Sequence, residues 1–145
     1  MCIMSKVLID TNVLVVFDDK GDKWHKRCVD LISRLSLQGD EVIILDVVMF
    51  EAISVLAKRF NEKGKGREIG EVIDKLVNFF FRYITWTGEM WGGVFDLVVE
   101  RVKLSEGELN FNDAFICVFC YVNKVEYVAS FDRDFDKVLF IKRIE

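Results

Sequence analysis

Short apolar runs alternate with segments of helical period along this chain, and that alternation leaves few folds open. Residues 7–9, 42–45, 83–86, 126–129 and 138–141 read as strands. A short helical turn over 12–17 follows the first. Asp22 is placed to cap a helix carrying Trp24, Cys28, Leu31, Ile32 and Leu35 in phase, ending near Gly39. Asp46 is placed to cap another, with Val48, Ala52, Val55, Leu56 and Phe60 in phase, and Gly64 and Gly66 mark the break after it. Further helices are predicted over 68–81, 89–103 and 112–123, the last apolar on most sides. Strands joined by helices imply a parallel sheet covered on both faces. In such sheets ligands sit beyond the carboxyl ends of the strands, where the strand order reverses.

At 145 residues the expectation is one domain, 1–145, with a core large enough to need no staples. No apolar run reaches the roughly 18–20 residues that span a bilayer. Residues 1–6 are too short and too weakly apolar for a signal peptide, so a cytoplasmic location without a membrane is expected. Met1 and Met4 are both candidate starts. In that setting Cys2, Cys28, Cys117 and Cys120 are expected as free thiols, and the Cys117–Cys120 pair as buried rather than zinc-binding. The lone His25 is expected on a surface helix without a catalytic role.

Two acids end apolar strands: Asp10 after residues 7–9, and Asp132 after 126–129. Each must be solvated, paired or bound to a cation. Asp10 also suits a helix N-cap, with Thr11 and Asn12 beside it to orient a liganding carboxylate. Glu51 shares a helix face with Val47, Val48 and Val55, where an acid needs a partner or a route to water. Asp113 opens the most apolar helix and can pair with Asn110 as a cap. Asp134 is placed as an outer-shell or second-metal residue, and Asp136 as solvent-facing. If the first and fourth strands are neighbours, their acids converge in one pocket, and acidic pockets of this kind hold divalent metal.

Four pieces carry a family resemblance: Asp10-Thr11-Asn12; Glu51 within the apolar stretch 48–56; Asn112-Asp113-Ala114; and Ser130-Phe131-Asp132-Arg133-Asp134-Phe135. In this order and spacing the chain resembles PIN-domain ribonucleases, in particular the toxin subunits of VapBC-type toxin–antitoxin pairs. Ser130 stands where Thr is commoner, and keeps the hydroxyl. The resemblance implies a three-layer α/β/α sandwich with a five-stranded, mostly parallel sheet. It implies Mg²⁺ or Mn²⁺ held by Asp10, Glu51, Asp113 and Asp132, with Asp134 less closely involved and Thr11, Asn12 and Ser130 supporting. It further implies RNA endonuclease activity that leaves 5′-phosphate and 3′-hydroxyl ends, a homodimer, and an antitoxin protein as partner.

The chemistry agrees with that family. Bare carboxylates repel a phosphodiester, and a divalent cation between them removes the repulsion and activates water. The net charge of −4 argues against holding long nucleic acid by bulk electrostatics. Local basic clusters, Lys20, Lys23, Lys26 and Arg27, then Lys58, Arg59, Lys63, Lys65 and Arg67, are either solvated helix faces or phosphate contacts. Trp24, Phe60 and Trp91 are either core or the lining of a partner groove. Other functions remain: a catalytically silent RNA- or protein-binding module of the same fold, or an RNA-processing nuclease without an antitoxin. An aspartyl-nucleophile phosphatase needs a second Asp two residues after the first, and Asn12 holds that place.

Overall fold

The structure, a computed structural model, describes residues 4–145. The Cys2 thiol and the Met1 start lie outside the described residues. β1 (Lys6–Ile9) leads into α1 (Thr11–Asp18) and α2 (His25–Gln38). β2 (Glu41–Leu45) is followed by α3 (Asp46–Glu62) and α4 (Ile69–Phe80). β3 (Ile84–Thr85), α5 (Trp91–Leu104), α6 (Phe111–Asn123), β4 (Tyr127–Ala129) and β5 (Lys142–Ile144) complete the order. Three strands are as apolar as their sequences demand: Val7, Leu8, Ile9, Ile43, Ile44, Leu45, Val128 and Ala129 are all buried.

The sheet order is β3-β2-β1-β4-β5, and every neighbouring pair is parallel. The sheet expected as mostly parallel is wholly so. From β1 the chain steps outward to β2 and β3, then crosses back to β4 and β5. Right-handed crossovers therefore place α1–α4 on one face and α5–α6 on the other. The contacts agree: α1 packs against α2, α3 and α4, while α5 packs against α6. α6 is the more deeply buried helix of its layer, with every residue from 114 to 120 buried. Phe115 at its middle is fully enclosed, a burial that contributes about 1.5–3 kcal/mol. The strand order reverses between β1 and β4, where Leu8 pairs with Val128 and Ile9 with Ala129.

Local signals explain the helix ends. Gly39 takes a left-handed φ of 71° after α2, and its N–H returns to the carbonyls of Leu35 and Ser36. Gly64, at φ 70°, turns the chain out of α3. Asp22 does not cap α2 directly. It sits three residues ahead of His25 and accepts the Trp24 N–H at 2.9 Å, shaping the approach to the helix. The helix predicted over 68–81 is α4 with a 3-10 turn at each end, Gly66–Glu68 and Phe81–Tyr83. A further 3-10 turn, Gly88–Met90, precedes α5.

The fifth strand is a correction. It is not at 138–141 but at Lys142–Ile144. A 3-10 helix, Arg133–Lys137, follows β4, and Val138 and Ile141 are buried anchors of the turn that leaves it. The Ile141 N–H bonds back to the Val138 carbonyl, so their apolar character reports the turn's packing rather than a strand.

Candidate metal and nucleic-acid site

Asp10 sits at the carboxyl end of β1, at the reversal of strand order, with 4% of its surface exposed. It is the N-cap of α1: its Oδ1 accepts the Thr11 N–H at 2.7 Å. Its Oδ2 accepts the Ser130 hydroxyl at 2.7 Å and the Asn12 side-chain amide at 3.2 Å. The cap and the polar cluster are therefore one arrangement. Ser130, fully buried just past β4, donates to Asp10 and accepts from the Asp132 N–H at 2.9 Å and from Asn12 at 3.2 Å. Asn12 closes the loop by accepting the Phe131 N–H at 3.1 Å. The two strand ends are thus tied together through short polar side chains.

Glu51 is half-buried on α3, with its Oε2 accepting the Thr11 hydroxyl at 3.0 Å and the Asn112 amide at 2.8 Å. Asp113 lies in the first turn of α6, whose N-cap Asn110 accepts the Asp113 N–H at 2.9 Å. Asp132 caps the Arg133–Lys137 turn, its Oδ1 accepting the Asp134 N–H at 2.9 Å. Asp134 is only partly buried and lies 3.8 Å from the Lys137 ammonium. Asp136 is exposed and paired with Arg143 at 2.8 Å, as a solvent-facing acid should be.

The acids feel one another. Burial pushes the Asp10 carboxyl up to about 7, with the charges of Asp113 and Asp132 adding to the rise and the Ser130 bond opposing it. Burial also pushes Asp113 up to about 6, with Asp132, Glu51 and Asp134 adding. This is the signature of carboxylates sharing one low-dielectric neighbourhood without a counter-charge. They do not form a closed cage. Among the described residues no three His, Cys, Asp or Glu side chains come close enough together to enclose an ion.

The donor set fits a hard cation all the same. An ionised carboxylate offers about four acceptor sites, and Asp10 spends three of them on protein donors. Glu51 Oε1 and Asp132 Oδ2 have no protein partner among the described residues. Mg²⁺ keeps several waters and takes one or two carboxylates rather than a full protein cage. The thiols are unsuited: burial pushes Cys117 up to about 11 and Cys120 up to about 12, holding them protonated.

The family model for the PIN domain matches residues 7–141. The chain belongs to the PIN-domain family. Two relatives, both from Methanocaldococcus jannaschii, align along almost their whole length. Ribonuclease VapC2 is 27% identical, covering 97% of this chain and 94% of its own. Ribonuclease VapC6 is 29% identical, covering 97% of each. Solved PIN-like structures share the fold at low identity. FitAcB from Neisseria gonorrhoeae superposes with TM-score 0.68 at 18% identity, over 96% of both chains. VapC20 from Mycobacterium tuberculosis, a toxin that cleaves the sarcin–ricin loop, superposes with TM-score 0.65 at 17% identity, over 93% of this chain and 96% of its own. VapBC2 from Rickettsia felis, bound to a DNA fragment from their promoter, gives TM-score 0.63 at 12% identity, over 97% of this chain and 99% of that one. The expected family and the expected α/β architecture are those found.

Within this PIN domain, some polar partners escaped the sequence reading. Asn112 was seen only as part of a motif, yet it holds Glu51 across to α6. Asp46 opens α3, accepting the Val47 N–H, and also clamps Thr87 by its N–H at 2.9 Å and its hydroxyl at 2.7 Å. Both Asp46 and Thr87 are buried, so this acid is spent on structure. Trp24, Phe60 and Trp91 do not line one groove. Trp24 stacks on Phe131, Phe60 borders a separate hollow beside Lys65 and Val72, and Trp91 stacks on Phe115. His25 opens α2 and hydrogen-bonds through Nδ1 to the Val16 carbonyl at 3.0 Å, a structural contact between α2 and α1.

Proposed function

We propose that this PIN domain is a Mg²⁺- or Mn²⁺-dependent endoribonuclease, the toxin of a toxin–antitoxin pair. The observation that carries the reading is the buried Asp10, bonded to Ser130 at the reversal of strand order and raised toward neutrality by burial and by Asp113 and Asp132. The two ribonucleases named VapC, aligned over nearly the whole chain, support it. In this reading Asp10, Glu51, Asp113 and Asp132 hold the metal, and Asp134 stands beside them. The metal, when bound, neutralises the clustered charge, polarises the phosphate and activates water. Thr11, Asn12, Ser130 and Asn112 orient the carboxylates by donating to Asp10 or Glu51. Asp10, raised to about 7, and Asp113, raised to about 6, hold protons that a cation must displace as pH falls below neutral, which couples affinity to pH.

We take residues 1–145 as a single cytoplasmic PIN domain acting as a homodimer and inhibited by an antitoxin protein. No helix among the described residues is long and apolar enough to cross a membrane. The test is incubation of the purified chain with single-stranded and structured RNA. Cleavage is expected with Mn²⁺, none in EDTA, and none in Asp10→Asn. Wild-type cleavage by Asp10→Asn overturns the assignment.

The absence of three closely grouped acids among the described residues favours a second reading, a binding module without catalysis. RNA affinity with no metal-dependent cleavage would select it. An upstream reading frame for a small DNA-binding protein separates a toxin from a processing nuclease.

A further inference from the structure

A groove opens beside Asp132, between the α1–α2 turn, α3 and the loop after β4. One wall is aromatic. The Trp24 and Phe131 rings stack with centroids 5.5 Å apart and planes inclined by 22°. Both rings are only partly buried, so the pair presents surface to the groove rather than filling the core. Phe131 cannot drift from the acids: its N–H is held by Asn12, and the next N–H, that of Asp132, is held by Ser130.

The opposite wall carries two cations paired with acids. Arg59 reaches Asp22 at 3.1 Å and Asp19 at 3.5 Å, and Lys63 reaches Asp19 at 3.4 Å. Asp19 is 5% exposed, so it is a fixed anchor for both cations. Arg59 makes both contacts through Nη1, which leaves its Nη2 and Nε without a protein partner among the described residues. That free edge matches the two-oxygen geometry of a phosphate. Lys23 and Arg27 lie 5.6 and 5.3 Å from the centre of the Trp24 ring. Both are surface side chains, and Arg27 also pairs with Glu145 at 2.6 Å.

We propose that this groove is a subsite for one unpaired nucleotide of single-stranded RNA. Its base stacks on the Trp24–Phe131 pair, and its phosphate meets Arg59 and Lys63 on the way to Asp132. The inference rests on the ribonuclease reading and narrows its substrate to RNA with an unpaired base beside the cut. A stacked pair of rings accepts any base, because every base has a π face, whereas a duplex hides those faces in its own stack.

The test is fluorescence anisotropy of the full chain in EDTA at low salt, with a labelled single-stranded RNA hexamer and a duplex of the same length. The single strand should bind more tightly than the duplex. Trp24→Leu should weaken single-strand binding about tenfold or more, and leave duplex binding unchanged. Trp24→Phe, which keeps a ring, should restore most of the loss, and circular dichroism checks that each variant is folded. Arg59→Gln should flatten the salt dependence of binding. Single-strand affinity unchanged in Trp24→Leu, or no preference for the single strand, overturns the proposal and leaves the groove to a protein partner. Metal-dependent cleavage with unchanged Trp24→Leu binding sinks only the subsite. Ring-dependent binding without cleavage sinks only the nuclease.

Discussion

Ser130 is small, fully buried and bonded to Asp10, the most deeply buried of the proposed metal ligands. Its hydroxyl lowers the Asp10 value against the pull of burial. Ser130→Ala should therefore raise the Asp10 value further and cost about 10–100-fold in activity, as losses of such orienting partners do. Ser130→Thr should retain activity, and a pH–rate profile of the two variants checks both. Asp113 gives a test of opposite sign in stability and function. Its folded value of about 6 lies above the ordinary 3.8, so the folded chain binds the proton more tightly than the unfolded chain. That contribution is full below about pH 4 and is lost as pH rises through about 6. In EDTA at pH 8, Asp113→Asn should melt roughly 3 °C higher than wild type, a gain of about 1 kcal/mol after allowance for solvent. At pH 4 the difference should vanish, because the wild-type side chain is then neutral too. Cleavage should be lost at every pH. The acids were legible in the sequence because a carboxylate ending an apolar strand, or facing inward on an apolar helix, has to be accounted for. Their donors were harder to see. Asn112 and Glu51 are 61 positions apart, and nothing local in either marks the bond.

The strands and helices show the same division. β1 and β4 were legible as continuous apolar runs, and α6 because its buried residues run without a polar break from 114 to 120. β3 is two residues long, held in place by pairing with β2 rather than by its own propensity. β5 was displaced in the sequence reading because Val138 and Ile141 carry the apolar signal of a turn, while Lys142 and Arg143 carry the strand. The Asp46–Thr87 clamp fastens the start of α3 to the segment after β3, joining residues 41 positions apart. Thr87→Val removes the hydroxyl donor and should cost about 1–3 kcal/mol by denaturant melting. Cleavage at a temperature where the variant is folded should be unchanged, since Thr87 lies outside the acid cluster. Loss of activity in that folded variant would place Thr87 in the site.

For the molecule as a whole, five parallel strands and two helix layers bring residues from both ends of the chain to one point. Asp10 follows the first strand and Asp132 the neighbouring fourth, so these two acids meet only when β1 and β4, far apart in sequence, have paired. Metal binding should therefore appear as global stability. Millimolar Mg²⁺ or Mn²⁺ at pH 8 should raise the melting temperature of wild type, because a ligand bound only to the folded state stabilises it by mass action. Asp10→Asn should respond weakly or not at all. The chemistry of the cut is the sharper test, because the chain has a single His, set against the Val16 carbonyl, and no second one to pair with it in acid–base transfer. Mapping the ends of RNA cleaved in Mn²⁺ tests directly whether these carboxylates work through a metal. Hydrolysis by metal-activated water predicts 5′-phosphate and 3′-hydroxyl ends, produced only with divalent metal and not by Asp10→Asn. Ends bearing 2′,3′-cyclic phosphate, or cuts that persist in EDTA, would contradict it.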